Sequence, residues 1–97
     1  MAGTYRITRR AEADLYDIAR YTEAEWGRDQ RTRYLKALET RFGWLAGNPA
    51  LGQAREDVAA GYYCYPHGRH LIFYMCTAQG IDIIGIPHQR MDPGSFP

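Results

Sequence analysis

The sequence predicts an α+β fold in the order β-α-α-β-β-β, an N-terminal helix hairpin packed on a small antiparallel sheet. Three observations predict it. Apolar residues recur at helical spacing over two segments separated only by Gly27. Short β-rich runs follow, at Tyr62-Tyr63-Cys64-Tyr65, Leu71-Ile72-Phe73-Tyr74 and Ile81 to Ile86, broken by turn residues. A chain of 97 residues, 45% hydrophobic and 24% charged, suits one domain spanning residues 1–97. At that size folding buries roughly 65% of the unfolded surface, enough for one modest core.

Tyr5-Arg6-Ile7 is a short β-type run and forms the first strand. Thr8 is placed to cap a helix, with Glu12 and Asp14 near the positive end of its dipole. Ala11, Leu15, Ile18, Thr22 and Trp26 make one stripe down that helix, and Gly27 ends it with a backbone free to take positive φ. A second helix runs from about Arg28 to Ala46, with Leu35, Leu38, Phe42 and Leu45 inward and Tyr34 and Trp44 flanking them. Gly43 inside it costs about 1 kcal/mol against alanine, which predicts a close approach of another element there. Gly47-Asn48-Pro49 stops the helix. With Gly27 alone between them, the two helices fold back on each other.

Residues 50–60 are a polar connection of a length more often functional than idle. Gly61 then opens a strand, and Pro66-His67-Gly68-Arg69 closes a tight hairpin that sets Cys64 opposite Leu71. That pairing puts Cys64, Leu71, Phe73 and Met75 on one face. Tyr63, Tyr65, His70, Ile72, Tyr74 and Cys76 share the other. Both faces are apolar, and a helix hairpin covers only one. The second needs the chain tail or a partner, and spacing leaves open which face takes the helices. Cys76 then lies roughly 17 Å along from Cys64, too far for a disulfide, so both cysteines read as buried or half-buried apolar residues of a reducing compartment. Pro87 ends the last strand's ladder.

The charge balance is even, at +1, and the basic residues are eleven arginines and one lysine, Lys36. No bulk attraction to nucleic acid follows, and no direct, specific DNA binding is expected. No apolar run approaches the roughly 18 residues of a membrane span, and Met1-Ala2-Gly3-Thr4 does not open a secretory signal, so a cytoplasmic location is expected. His67 and His70 straddle a turn without nearby cysteine or acid, so they read as solvated residues; no metal and no cofactor are expected.

Four motifs together carry a family likeness. Thr8-Arg9-Arg10-Ala11-Glu12-Ala13-Asp14-Leu15, Asn48-Pro49-Ala50-Leu51-Gly52, Gly68 to Tyr74 and His88-Gln89-Arg90-Met91-Asp92 resemble the ParE-type toxins of the RelE/ParE toxin–antitoxin superfamily, in order and over essentially the whole chain. The chain departs from the usual pattern at Tyr63-Cys64, Gly85 and Pro87. The resemblance implies a ParD-like antitoxin that lays a helical segment over the toxin. It also implies a non-enzymatic attack on DNA gyrase, trapped on cleaved DNA. The related RelE branch implies an alternative, cleavage of mRNA in the ribosome, and a toxin that has lost activity but keeps antitoxin binding is a third.

On this reading Arg69, His88, Gln89, Arg90, Met91 and Asp92 face the target, gathered where the last strand ends. For a nuclease, Arg69 would hold the phosphate, His88 would be acid or base and Arg90 would stabilise developing charge; as a plain strand-end cap, Arg90 would pair with Asp92. Arg31, Arg33, Trp26 and Tyr34 are assigned to the antitoxin-facing surface, since the Arg28-Arg31-Arg33-Lys36 run could attract an acidic segment.

Overall fold

The computed structural model describes residues 3–90. Strand β1 (Thr4–Ile7) leads into helices α1 (Arg9–Trp26) and α2 (Arg28–Gly47). A 3-10 turn at Pro49–Leu51 and the two-residue strand β2 (Gln53–Ala54) follow. Strands β3 (Tyr63–His67), β4 (His70–Cys76) and β5 (Gly80–Gly85) complete a five-stranded sheet in the order β1-β5-β4-β3-β2.

The caps are those the sequence signals. Thr8 Oγ1 accepts a hydrogen bond from the Ala11 amide (3.2 Å), and the same hydroxyl meets the carbonyls of Ile83 (2.9 Å) and Ile84 (3.2 Å). One side chain thus starts α1 and fastens its start to β5. Gly27, at φ 92°, ends α1 and lets α2 begin at the next residue.

The sheet is mixed, not purely antiparallel: β1 runs parallel to β5, with Thr4 opposite Gly80 and Ile7 opposite Ile83. A parallel pair needs a long crossover, and the helix hairpin and all that follows it lie between these two strands. That crossover lays both helices on one face of the sheet. The hairpin register also differs from expectation. Cys64 pairs with Phe73, and His67 with His70, so the turn is Gly68-Arg69 alone and Pro66 sits within β3. Pro66 lies beyond the reach of β2, on an edge where a missing N–H breaks no ladder bond. Because the slip is two residues, every side chain keeps its face.

The helices take the face of Ile72, Tyr74, Ile81 and Ile83, packing Ala11, Ile18, Leu38, Phe42 and Leu45 onto it, with Tyr63 and Tyr65 at its margin. The opposite face carries Cys64, Phe73, Leu71 and Ile84, and its cover comes from Val58 and Tyr62 of the preceding connection. Several expectations need correction. Cys64 is buried, but Cys76 is exposed at the end of β4, and both thiols are free. Trp26 is 59% exposed, because as the last residue of α1 it projects past the packed part of the stripe. Gly43 marks no close approach: a methyl group built on it meets nothing within 4 Å. No described helix is long and apolar enough to cross a membrane.

Pairing also continues past Pro87. The Leu71 amide donates to the Pro87 carbonyl (2.9 Å) and the Gln89 amide to the Arg69 carbonyl (2.8 Å), with a bridge between His70 and His88. Proline lacks only a donor, and here its acceptor is the group used. The chain after β5 is thereby held against the start of β4.

Candidate functional site

The segment after β5 and the β3–β4 turn meet the joined ends of the two helices at a cleft of about 360 Å³. Four residues assigned from sequence line it: Arg69 and His88 from the target-facing set, Trp26 and Tyr34 from the antitoxin-facing set. Residues of the two assigned sets meet at this point. Arg31 and Arg33 lie elsewhere on α2, where Arg31 pairs with Glu23 and Arg33 donates to Gln30 Oε1 at 2.9 Å. Met91 and Asp92, and with them the pairing of Arg90 to Asp92, fall outside the described residues.

The turn that carries Arg69 is held from two sides. Tyr34 Oη of α2 lies 3.2 Å from the His67 carbonyl and 2.7 Å from His70 Nδ1. Gly68 takes φ 56°, and a methyl group there would strike the Tyr34 ring and hydroxyl, so glycine is required both by conformation and by contact. From the other side, the Gln89 carboxamide donates to the carbonyls of Gly68 (2.9 Å) and His70 (3.4 Å). Gln89, expected to face the target, is exposed and also donates to the turn. The Arg69 guanidinium then lies over the Trp26 ring, 5.6 Å from its centroid. Arg90 is exposed, and its amide donates to His88 Nδ1 (3.1 Å).

These bonds settle the protons. One hydroxyl hydrogen serves both Tyr34 contacts when His70 Nδ1–H donates to Oη and Oη–H donates to the His67 carbonyl. Burial pushes the Tyr34 hydroxyl up, so it stays a donor. His70 is depressed to about 4, first by burial and then by the nearby His88, His67 and Arg69. It is neutral at physiological pH and a poor proton acceptor. His88, accepting at Nδ1, carries its neutral-state proton on Nε2. No described residue lining the cleft is acidic; the adjoining hollow holds Asp17 and Asp14, whose Oδ2 accepts from the buried Ile86 amide (2.8 Å). His70, expected to be a solvated sheet residue, is half-buried and hydrogen-bonded, and with Tyr21, Thr22 and Gln30 completes the wall. Tyr21 and Gln30 lie off the apolar stripes, and no sequence pattern marks them.

A pH dependence of stability follows. The folded-state value of His70 lies below its ordinary one, so the unfolded chain binds the proton more readily between pH 6.5 and about 4. The contribution is complete above pH 6.5 and is lost as pH falls towards 4. A fully buried group shifted this far would contribute about 3 kcal/mol, and solvent screening of half-buried His70 reduces that to about 1–2 kcal/mol. Urea midpoints measured at pH 7.5 and pH 4.5 should show this loss, and His70→Asn should lessen it. An equal loss in the variant would assign the effect to other groups, beginning with His67, which burial also depresses.

Comparison with known proteins agrees over nearly the whole length. The family described as "ParE toxin of type II toxin-antitoxin system, parDE" matches residues 5–93. The chain is 39% identical over 88 residues to Toxin ParE1 of Caulobacter vibrioides, covering 91% of each. It is 37% identical over 93 residues to Toxin ParE1 of Mycobacterium tuberculosis, covering 95% of each. Among solved structures it superposes on a chain of the chromosomal ParDE toxin–antitoxin system of P. aeruginosa with a TM-score of 0.75, at 17% identity over 90% of this chain and 96% of that one. The RelBE2 toxin–antitoxin complex of M. tuberculosis matches with a TM-score of 0.60, at 21% identity over 92% and 100%. At those identities the two structures show a shared fold.

Proposed function

This chain belongs to the ParE toxin family of type II toxin–antitoxin systems, and on that premise we propose that it is a non-enzymatic inhibitor of DNA gyrase, neutralised by a ParD-like antitoxin. The gyrase target and the ParD-like partner are what the family likeness implies. The observation that supports binding over catalysis is the state of His70 at the cleft. General acid–base cleavage needs a group that takes up and releases a proton near neutrality. His70 is depressed to about 4, first by burial. With no acidic residue among the described residues lining the cleft, Arg69, Trp26 and Tyr34 form a surface suited to holding a partner.

The test incubates purified protein with gyrase, relaxed plasmid and ATP. Supercoiling should fall and linear DNA accumulate as the toxin is added, and stoichiometric antitoxin should restore supercoiling. Full supercoiling at large toxin excess would overturn the gyrase assignment. Message cleavage in programmed ribosomes would then establish the ribonuclease alternative, while tight antitoxin binding with neither activity would establish a toxin that has lost its target.

A further inference from the structure

The cleft at Trp26 is cationic and aromatic, and no described residue lining it is acidic. The three ion pairs among the described residues use Arg6, Arg31 and Arg55, while Arg69 lies over an indole ring that is itself 59% exposed. A guanidinium lying over a ring can still turn an N–H edge to a planar anion, which it holds bidentately. That edge is presented from a rigid support, because Tyr34 and Gln89 grip the turn from opposite sides. Preorganisation of this kind lowers the cost of binding.

We propose that this cleft docks a protein segment presenting one carboxylate beside an apolar ring, the carboxylate on Arg69 and the ring against Trp26. Charge favours a peptide over nucleic acid. Arg69 is a single fixed cation, and a polyphosphate gains affinity by neutralising many charges at once. The same helix carries Asp17, Glu23 and Glu25, which repel an extended anion, and the whole chain is only +1. The proposal stands whether or not gyrase is the target, since it specifies only what a partner must bring to this end of the molecule.

Phenylacetate and its uncharged isostere phenylacetamide test it on the full chain, followed by NMR at the Trp26 indole and the His70 and His88 rings. A fragment of this size should bind in the millimolar range. Phenylacetate should shift these signals with about tenfold higher affinity than phenylacetamide. Arg69→Gln should bring the two affinities together while leaving the remaining amide spectrum, and so the fold, unchanged. Equal affinities in the parent, no cleft shifts at about 20 mM phenylacetate, or an undiminished difference in Arg69→Gln overturns the proposal. A thymidine oligonucleotide displacing phenylacetate at lower concentration would overturn it in favour of nucleic acid. Asp92→Asn should leave phenylacetate affinity unchanged; a gain would make the chain's own carboxylate the occupant and overturn the assignment to a partner.

Discussion

Gly80→Ala should destabilise the protein by about 3 kcal/mol or more, while Gly43→Ala should stabilise it by about 0.5–1 kcal/mol. The two substitutions add the same methyl group and differ only in what it meets. At Gly80 it would fall 1.8 Å from the Thr4 carbonyl oxygen, 2.7 Å from the Thr4 nitrogen and 2.8 Å from its carbonyl carbon. All three are backbone atoms of the strand paired at this residue, so no rotamer change relieves the contact, and β1 itself must move. Moving it loosens more than two residues of ladder. Tyr5 packs its ring edge against Phe42 at 5.5 Å, and Thr8, at the end of the strand, joins the start of α1 to β5. At Gly43 the methyl meets nothing within 4 Å, and only the helix-propensity gain remains. Thermal unfolding separates the outcomes, since 3 kcal/mol lowers the melting temperature of a chain this size by about 15 °C. A Gly80→Ala variant within 1 kcal/mol of the parent would mean that β1 yields at little cost, and its parallel docking would lose its role in holding the helices.

That pair of glycines also marks where sequence reasoning succeeds and where it stops. Capping and helical periodicity are local, so Thr8, Gly27 and the inward residues Leu38, Phe42 and Leu45 could be placed without the fold. The alternation of faces in the hairpin is local too, which is why a register misplaced by two residues still sorted Cys64 from Tyr63 correctly. Partner choice is not local. Tyr5-Arg6-Ile7 says strand but carries nothing about β5 or direction, and a glycine inside a helix looks the same whether a neighbour lies close or not. The cleft was half legible for the same reason. Arg69 and His88 lie in motifs near each other in sequence, and Trp26 and Tyr34 stood out by type, but their meeting depends on how the helix ends overhang the turn. The bond from Gln89 to Gly68 was not legible either, because it exists only once the turn is in place.

Tyr74→Phe should cost about 2–3 kcal/mol, although it removes a single oxygen and keeps the ring. Tyr74 is fully buried, and its ring stacks on Tyr63 at 5.8 Å, a contact phenylalanine preserves. The hydroxyl is the part at stake. It donates to the Pro49 carbonyl (2.7 Å) and accepts from the Gly52 amide (2.9 Å), so its loss orphans one acceptor and one donor together. Each costs about 1–3 kcal/mol if sealed from water, and both are only partly buried, which places the sum near the lower end of that range doubled. The consequence is also topological. These two bonds pin the 3-10 turn by which the chain leaves α2 and enters β2, so freeing them should loosen the outer edge of the sheet while the helices stay in place. Gly52 is part of the same device, because a methyl there would lie 2.1 Å from the Tyr74 oxygen. Removing the hydroxyl relieves the shortest contact but leaves ring carbons at 2.7 and 2.9 Å, so Gly52→Ala should cost somewhat less in the Tyr74→Phe background than alone, a negative coupling measurable by a double-mutant cycle. Hydrogen exchange gives the local readout: the Gly52 amide should exchange faster in Tyr74→Phe than in the parent, out of proportion to the global change. A loss below 0.5 kcal/mol with unchanged Gly52 protection would mean that water takes the place of the hydroxyl, and that the strand edge is held by β2 pairing alone.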